Sequence, residues 1–230
     1  MVLFDEKFCE FYGALMGDGC LSSFKVRDRK FNVVRLDGHK ENDYDYFNNV
    51  LKTLIKDVFD KDVSIRFRKN YNIVFIYFQS PEIFNILKST GFPVGKKGEI
   101  RIPKNLLNLD WKITKCIIRG LIDTDGCVYF TKNGSETYSY PAIDFRSISQ
   151  TLINQMYELL KRNGFNPYKR YTHLILYGKN NFDKWLSEIG FSNFNHISKT
   201  RVWKLNGECK PDKNLNLKAR IEIINNGRVA

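Results

Sequence analysis

The chain has 230 residues, 43% of them hydrophobic and 14% aromatic, which is enough to bury a full core or two small fused ones and argues against disorder. Its formal net charge of +12 points to an acidic partner, nucleic acid first and anionic membrane second. No apolar run approaches a membrane span, the longest lying within Ile73–Phe78.

Taken in order, Asp5 is placed to cap a helix reaching about Gly17. Phe8, Phe11, Tyr12, Leu15 and Met16 recur on one face, while Cys9, Gly13 and Gly17 form a separate small-residue row. Gly19 suits a left-handed helix end. Leu21 to Val26 then alternates as a strand, with Phe24 and Val26 opposite Ser23, Lys25 and Arg27, and Phe31 to Leu36 returns. A continuous helix is expected from about Glu41 to Lys56, then strands at 63–68 and 73–79, and a helix from Ser80-Pro81 to Gly91. The order is helix, two strands, helix, two strands, helix. It repeats from Trp111 to Thr124, with strands at 128–131 and 142–148, a helix from Ser149 to about Asn163, strands at 168–171 and 173–177, and a helix at 180–189. The tail after Gly207 is polar and carries no clear pattern.

The repetition is explicit. Gly13-Ala14-Leu15-Met16-Gly17-Asp18-Gly19 and Gly120-Leu121-Ile122-Asp123-Thr124-Asp125-Gly126 lie 107 residues apart, and the same offset pairs Cys9 with Cys116 and Cys20 with Cys127. This marks a duplicated unit. The units are expected at 1–108 and 109–230, joined by a short link near 105–110. With no Cys-x-x-Cys pair, the five cysteines read as buried thiols of a reducing compartment, a zinc site being the lesser alternative.

An acid just before the terminal glycine opposes the helix dipole, yet it occurs in both copies. Asp123 has no such partner, because Met16 occupies its equivalent position. Small-residue rows at 9, 13, 17 and 116, 120, 124 let two helices approach closely, which would bring Asp18 and Asp125 together at one end. Paired carboxylates suit a hard divalent cation and leave positions open for water and phosphate.

These two helix ends resemble the LAGLIDADG signature of homing endonucleases, the second copy closely and the first in its common form ending Gly-Asp-Gly. The resemblance covers most of residues 5–205. It implies an α/β (α+β) fold of two pseudo-symmetric αββαββα units forming a saddle of antiparallel sheets, packed through the two motif helices. It also implies a monomeric, Mg²⁺-dependent endonuclease (Mn²⁺ substituting) that breaks both strands of a long, asymmetric double-stranded DNA target. Asp18 and Asp125 would hold metal, with Gly17 and Thr124 beside them. A lysine near each acid would orient water or neutralise phosphate, which assigns Lys96, Lys97 and Lys199. His39, Lys40, Ser149 and Gln150 are candidate pocket residues.

Alternating basic and apolar residues on each hairpin suit a sheet laid in the major groove. Candidate contacts are Lys25, Arg27, Arg29, Arg35, Arg66 and Arg68 in one unit, and Lys132, Asn133, Arg146, Lys169, Arg170 and His173 in the other. The alternative within the resemblance is an RNA maturase that holds intron RNA on the same basic saddle. No splicing signature stands at either end, which favours a freestanding, intron-encoded type. The start resembles neither signal nor transit peptide, so the expected place is intracellular, in a prokaryotic cytoplasm or nucleoid or an organelle matrix, and not at a membrane.

Overall fold

The computed structural model describes residues 4–227. Helix α1 (Glu6–Asp18) is capped by Asp5, whose carboxylate accepts from the Phe8 amide at 2.8 Å. Strands β1 (Gly19–Val26) and β2 (Arg29–His39) follow, then helical turns α2 (Lys40–Asp45) and α3 (Lys52–Phe59), strands β3 (Ile65–Phe67) and β4 (Ile73–Gln79), and α4 (Pro81–Thr90). After a short α5 (Lys104–Leu107), the second unit runs α6 (Trp111–Asp125), β5 (Gly126–Thr131), β6 (Tyr140–Arg146), α7 (Gln150–Arg162), β7 (Pro167–Arg170), β8 (His173–Tyr177) and α8 (Gly178–Glu188). Two antiparallel sheets result, ordered β1-β2-β4-β3 and β5-β6-β8-β7. The mixed fold of two four-stranded sheets is the architecture the repeat predicts.

Three local expectations are corrected. The helix expected to run unbroken from 41 to 56 contains a π-helical stretch, Tyr46–Leu51, where the Lys52 amide donates to the Phe47 carbonyl five residues back. This widening sets Tyr46 and Phe47 into the core. Gly19 and Gly126 are not left-handed but extended, at φ −97 and φ −87. They are needed because each strand starts at once, so that a Cβ would meet the Leu15 carbonyl at 2.6 Å and the Ile122 carbonyl at 2.6 Å. The C-terminal stretch is also ordered: α9 (Phe194–Asn206) and α10 (Leu217–Asn226) pack together. Its polar pattern hid the buried Arg220, which donates to Ser198 at 3.0 Å and to the Leu215 carbonyl at 3.0 Å, and which also bonds Asp212.

The centre of the molecule is the α1–α6 pair. A Cβ on Gly120 would reach the Ala14 amide nitrogen at 2.6 Å, and one on Gly13 would collide with the Ile117 backbone. Backbone therefore touches backbone, and no side chain fits between. Across this seam Arg119 donates to Glu10 at 2.5 Å, and Ser192 donates to the other oxygen of Glu10 at 2.5 Å. Around it Phe8, Phe11, Leu15, Ile117, Ile118 and Leu121 are fully buried. Each such side chain contributes about 1.5–3 kcal/mol of transfer free energy, which holds the helix ends in fixed register.

Candidate active site and nucleic-acid interface

Close packing along the small-residue rows brings the C-terminal ends of α1 and α6 together. A Cβ on Gly17 would lie 2.9 Å from Thr124 Cβ and 3.4 Å from the Asp125 carboxyl carbon. Asp18 is half-buried and Asp125 stands at the exposed rim. Burial raises the Asp18 pKa, and the charges of Asp125, Asp43 and Asp37 push it the same way against the pull of Lys97. Desolvation by the surrounding helix ends also raises Asp125, although it stands at the rim, and Lys97 and a hydrogen bond with Asp18 ease it. Two carboxylates forced together at negative helix ends form a site short of positive charge.

Lys97 supplies part of that charge. Its ammonium donates to the Met16 carbonyl at 3.0 Å and also to the Gly17 carbonyl. The loop that carries it is pinned at both ends. Val94 bridges to Leu21, and the Gly95 amide donates to the Leu21 carbonyl at 2.8 Å. Downstream, Gln155 of α7 exchanges hydrogen bonds with the main chain of Ile102 at 2.8 and 2.9 Å. Lys96 is exposed and makes none of these contacts.

Lys199 is not at the carboxylate pair. It is buried, donating to the Val128 carbonyl at 3.1 Å and to Asp212 at 2.8 Å, where it ties the C-terminal tail to β5. Comparable distance along the chain suggests equivalence, but the partners of this lysine lie on β5 and in the C-terminal tail, and it is Lys97 whose charge acts on Asp125. The repeat equivalent of the Met16 carbonyl is that of Asp123, and the side-chain amide Nδ2 of Asn193 donates to it at 2.8 Å. His196 takes the neighbouring Ile122 carbonyl at 3.1 Å, and burial lowers its pKa to about 3, so the ring is neutral. One half thus meets its motif carbonyls with a cation, the other with neutral donors.

The pocket candidates divide. His39 accepts from the Asn42 amide at 3.3 Å and caps α2, the helix that also carries Asp43; Lys40 follows it and lies over the Phe67 ring at 5.5 Å. Ser149 is buried, donating to the Ile100 carbonyl at 2.6 Å while capping α7, so its place is structural. Gln150 is exposed. Asp123 is buried, accepts from the Ser192 amide at 2.8 Å, and has its pKa raised by burial to about 8.

Strand register sorts the basic candidates by face. Leu21, Val34 and Phe78 are cross-strand neighbours on the buried face, so Cys20, Arg35 and Tyr77 share the open one. Arg29 pairs with Val26, and Arg66 with Phe75, on that open face, and Arg68 follows Arg66 by two residues. In the second sheet Arg146, His173 and Arg170 are directly opposite one another on the open face. Lys169 is not among them: it turns to the helix side, donating to Asn154 at 2.7 Å. Lys25 likewise falls on the helix-side register, at an exposed hairpin tip. Arg27 and Asn133 occupy turns at φ 52 and φ 36, and Lys132 lies over Tyr138.

Three acids went unread in the sequence. Asp43 accepts from the His39 amide at 2.8 Å and from Asn193 at 3.0 Å, linking the two units beside Asp18. Asp37 and Asp144 hold Arg35 at 2.6 Å and Arg146 at 3.2 Å on the two open faces. A signal was present, since the offset of 107 that links the motifs also links Asp37 to Asp144.

Comparison with known proteins agrees with this arrangement. Residues 115–190 match the family model described as a LAGLIDADG-like domain. No curated protein sequence matches the chain. Among solved structures, I-DmoI in complex with DNA and Mn is similar with a TM-score of 0.57 at 14% identity, covering 82% of this chain and 98% of that one. The LAGLIDADG meganuclease I-AabMI bound to uncleaved DNA has a TM-score of 0.53 at 12% identity, covering 96% and 98%. The I-LtrWI LAGLIDADG homing endonuclease bound to target DNA has a TM-score of 0.54 at 12% identity, covering 97% and 97%. The chain therefore contains, at 115–190, a LAGLIDADG-like domain that includes most of α6, and along its length it shares the fold of these LAGLIDADG homing endonuclease structures.

Proposed function

We propose that this protein is a metal-dependent endonuclease that binds a long, asymmetric duplex across its two open sheet faces and breaks both strands at the Asp18–Asp125 pair. The observation that carries this reading is the pair itself, two repeat-equivalent carboxylates brought together between two basic sheets. The similar structures hold DNA together with Mn or Ca, which supports a divalent ion as cofactor at the fold level.

The donor set fits such an ion. Two carboxylates whose ionisation is opposed by burial, and in Asp18 also by the charge of Asp125, are relieved by a hard cation. Among the described residues no cluster of three or more His, Cys, Asp or Glu side chains could hold a metal. Asp18 and Asp125 would therefore share the ion with main-chain oxygens such as those of Gly17 and Thr124, with water and with phosphate. Mg²⁺ or Mn²⁺ bound there would polarise the phosphodiester and lower the pKa of attacking water.

The chain's own groups do the remainder. Lys97 holds a positive charge at the α1 end, where phosphate charge would gather. The α1–α6 seam fixes the spacing of the two acids. Arg29, Arg66 and Arg170 on the open faces meet the duplex without an ion pair of their own among the described residues. Because the two halves have diverged, each half-site is read by different side chains, so the target is asymmetric. The maturase reading rests on the same basic saddle, and no separate observation favours it.

The test is incubation with a plasmid library of candidate insertion sites, with Mg²⁺ and in EDTA. Site-specific linear product in Mg²⁺ alone is expected; full cleavage in EDTA would overturn the metal assignment. Binding without cutting in Mg²⁺ would leave a binding protein.

A further inference from the structure

We propose that the half-site under the N-terminal sheet is rich in A·T pairs, read through thymine methyl groups by Phe24, Val26, Phe31, Ile73 and Phe75. The inference rests on the DNA reading above and names the base class that this sheet selects. Register puts these five side chains on the open face: Phe24 faces Phe31 and Val26 faces Arg29 across β1–β2, while Phe75 follows Ile73 by two residues and pairs with Asp37. Phe24 is 43% exposed and Val26 52%, at the hairpin end of the edge strand β1, which leaves two large apolar side chains open on this face.

The charged groups of this face are largely committed. Arg35 is held by Asp37 at 2.6 Å, and Arg68 lies over Tyr71 at 5.6 Å. Arg29 and Arg66 remain, one at each end of the sheet. The β1–β2 hairpin end of the face is therefore apolar apart from Arg29, while the Arg35–Asp37 pair and Tyr77 occupy its centre. In the major groove only thymine offers a methyl group, whereas cytosine presents an amino group at the corresponding edge. Setting that amino group against a phenyl ring removes it from water with no acceptor in reach, which disfavours cytosine there.

The second sheet differs in chemistry. Its open face carries the hydroxyls of Tyr129, Tyr168 and Tyr177 beside Arg170 and His173, and its Arg146 is held by Asp144 as Arg35 is by Asp37. Methyl reading is thus confined to one half of the target. Stacking of unpaired bases is less suited to the first sheet, because Phe24 and Phe31 already occupy one face of each other's ring at 5.5 Å and 15°.

The test selects bound duplexes in Ca²⁺ from a library randomised over the site, using the intact protein. One half-site should emerge A·T-rich, and the Phe24→Ala variant should relax the preference in that half alone. The selected duplex is then made with deoxyuridine replacing thymine in one half or the other. Each lost methyl should weaken binding about threefold to fourfold in the A·T-rich half, from ~0.8 kcal/mol per buried methyl, and less than about twofold in the other. A selected sequence without A·T bias, or equal tolerance of deoxyuridine in both halves, overturns the inference while leaving the nuclease reading intact. No selection of any duplex, with tight binding of single-stranded RNA instead, would overturn both.

Discussion

The ammonium of Lys97 donates to the carbonyl of Met16 at 3.0 Å, whereas the equivalent carbonyl in the second unit, that of Asp123, is met by the neutral amide of Asn193. The ends of the two motif helices are therefore electrostatically unequal. Lys97→Met should slow cleavage by on the order of tenfold to a hundredfold, since it removes the cation whose charge lowers both acids, and, because Lys97 is only half-buried, should cost less stability than the loss of a buried lysine.

Lys199→Met should behave the other way. It strands the Val128 carbonyl and breaks the tie to Asp212, costing about 1–3 kcal/mol of stability. Chemical denaturation beside single-turnover cleavage separates the two mutants. A stable but inactive Lys199→Met protein would restore that lysine to the site.

Gly13→Ala or Gly120→Ala should destabilise by about 1–3 kcal/mol or more, because each new methyl meets backbone of the facing helix rather than a movable side chain. Gly134→Ala is the control for space, since nothing lies within 4 Å of its Cβ, although its φ of 83 adds local strain. A fully stable Gly120→Ala protein would mean the helices are not packed backbone to backbone.

Much of this was legible in the sequence because duplication supplies an internal comparison. The order of elements, the motif acids and the helix pair follow from one offset and from apolar spacing. Individual strand faces were harder. Lys25 and Lys169 sit among basic neighbours, and only cross-strand register shows that they point to the helix side. Lys199 misled because distance along the chain carries no information on where α9 turns, and Arg220 looked like a solvated charge in a polar tail. The π-helical stretch at 46–51 leaves the apolar pattern nearly helical, so periodicity does not reveal it.

His196 gives a pH signature of the interior. Burial keeps it neutral with a pKa of about 3, while in the unfolded chain it titrates near 6.5. The unfolded state therefore binds the extra proton between these values, and stability contributed at neutral pH is lost as pH falls through about 6.5. Relative to His196→Gln, which keeps a donor for the Ile122 carbonyl, the wild type should lose up to about 1.4 kcal/mol per pH unit below that point. Parallel stability curves from pH 7 to 4 would show that the ring is accessible to solvent.

The most direct measurement is strand-labelled cleavage by Asp18→Asn and Asp125→Asn on a selected target, run on a denaturing gel with DNA affinity measured in Ca²⁺. Asparagine keeps the shape of the side chain but loses the charge that holds a divalent ion. Each substitution should reduce double-strand cleavage by on the order of a hundredfold or more while leaving affinity within a few-fold of wild type. Because the two carboxylates share one site, strong loss on both strands is expected rather than clean nicking of one. Cleavage at the wild-type rate by both variants would contradict the account and leave a DNA-binding saddle without this active site.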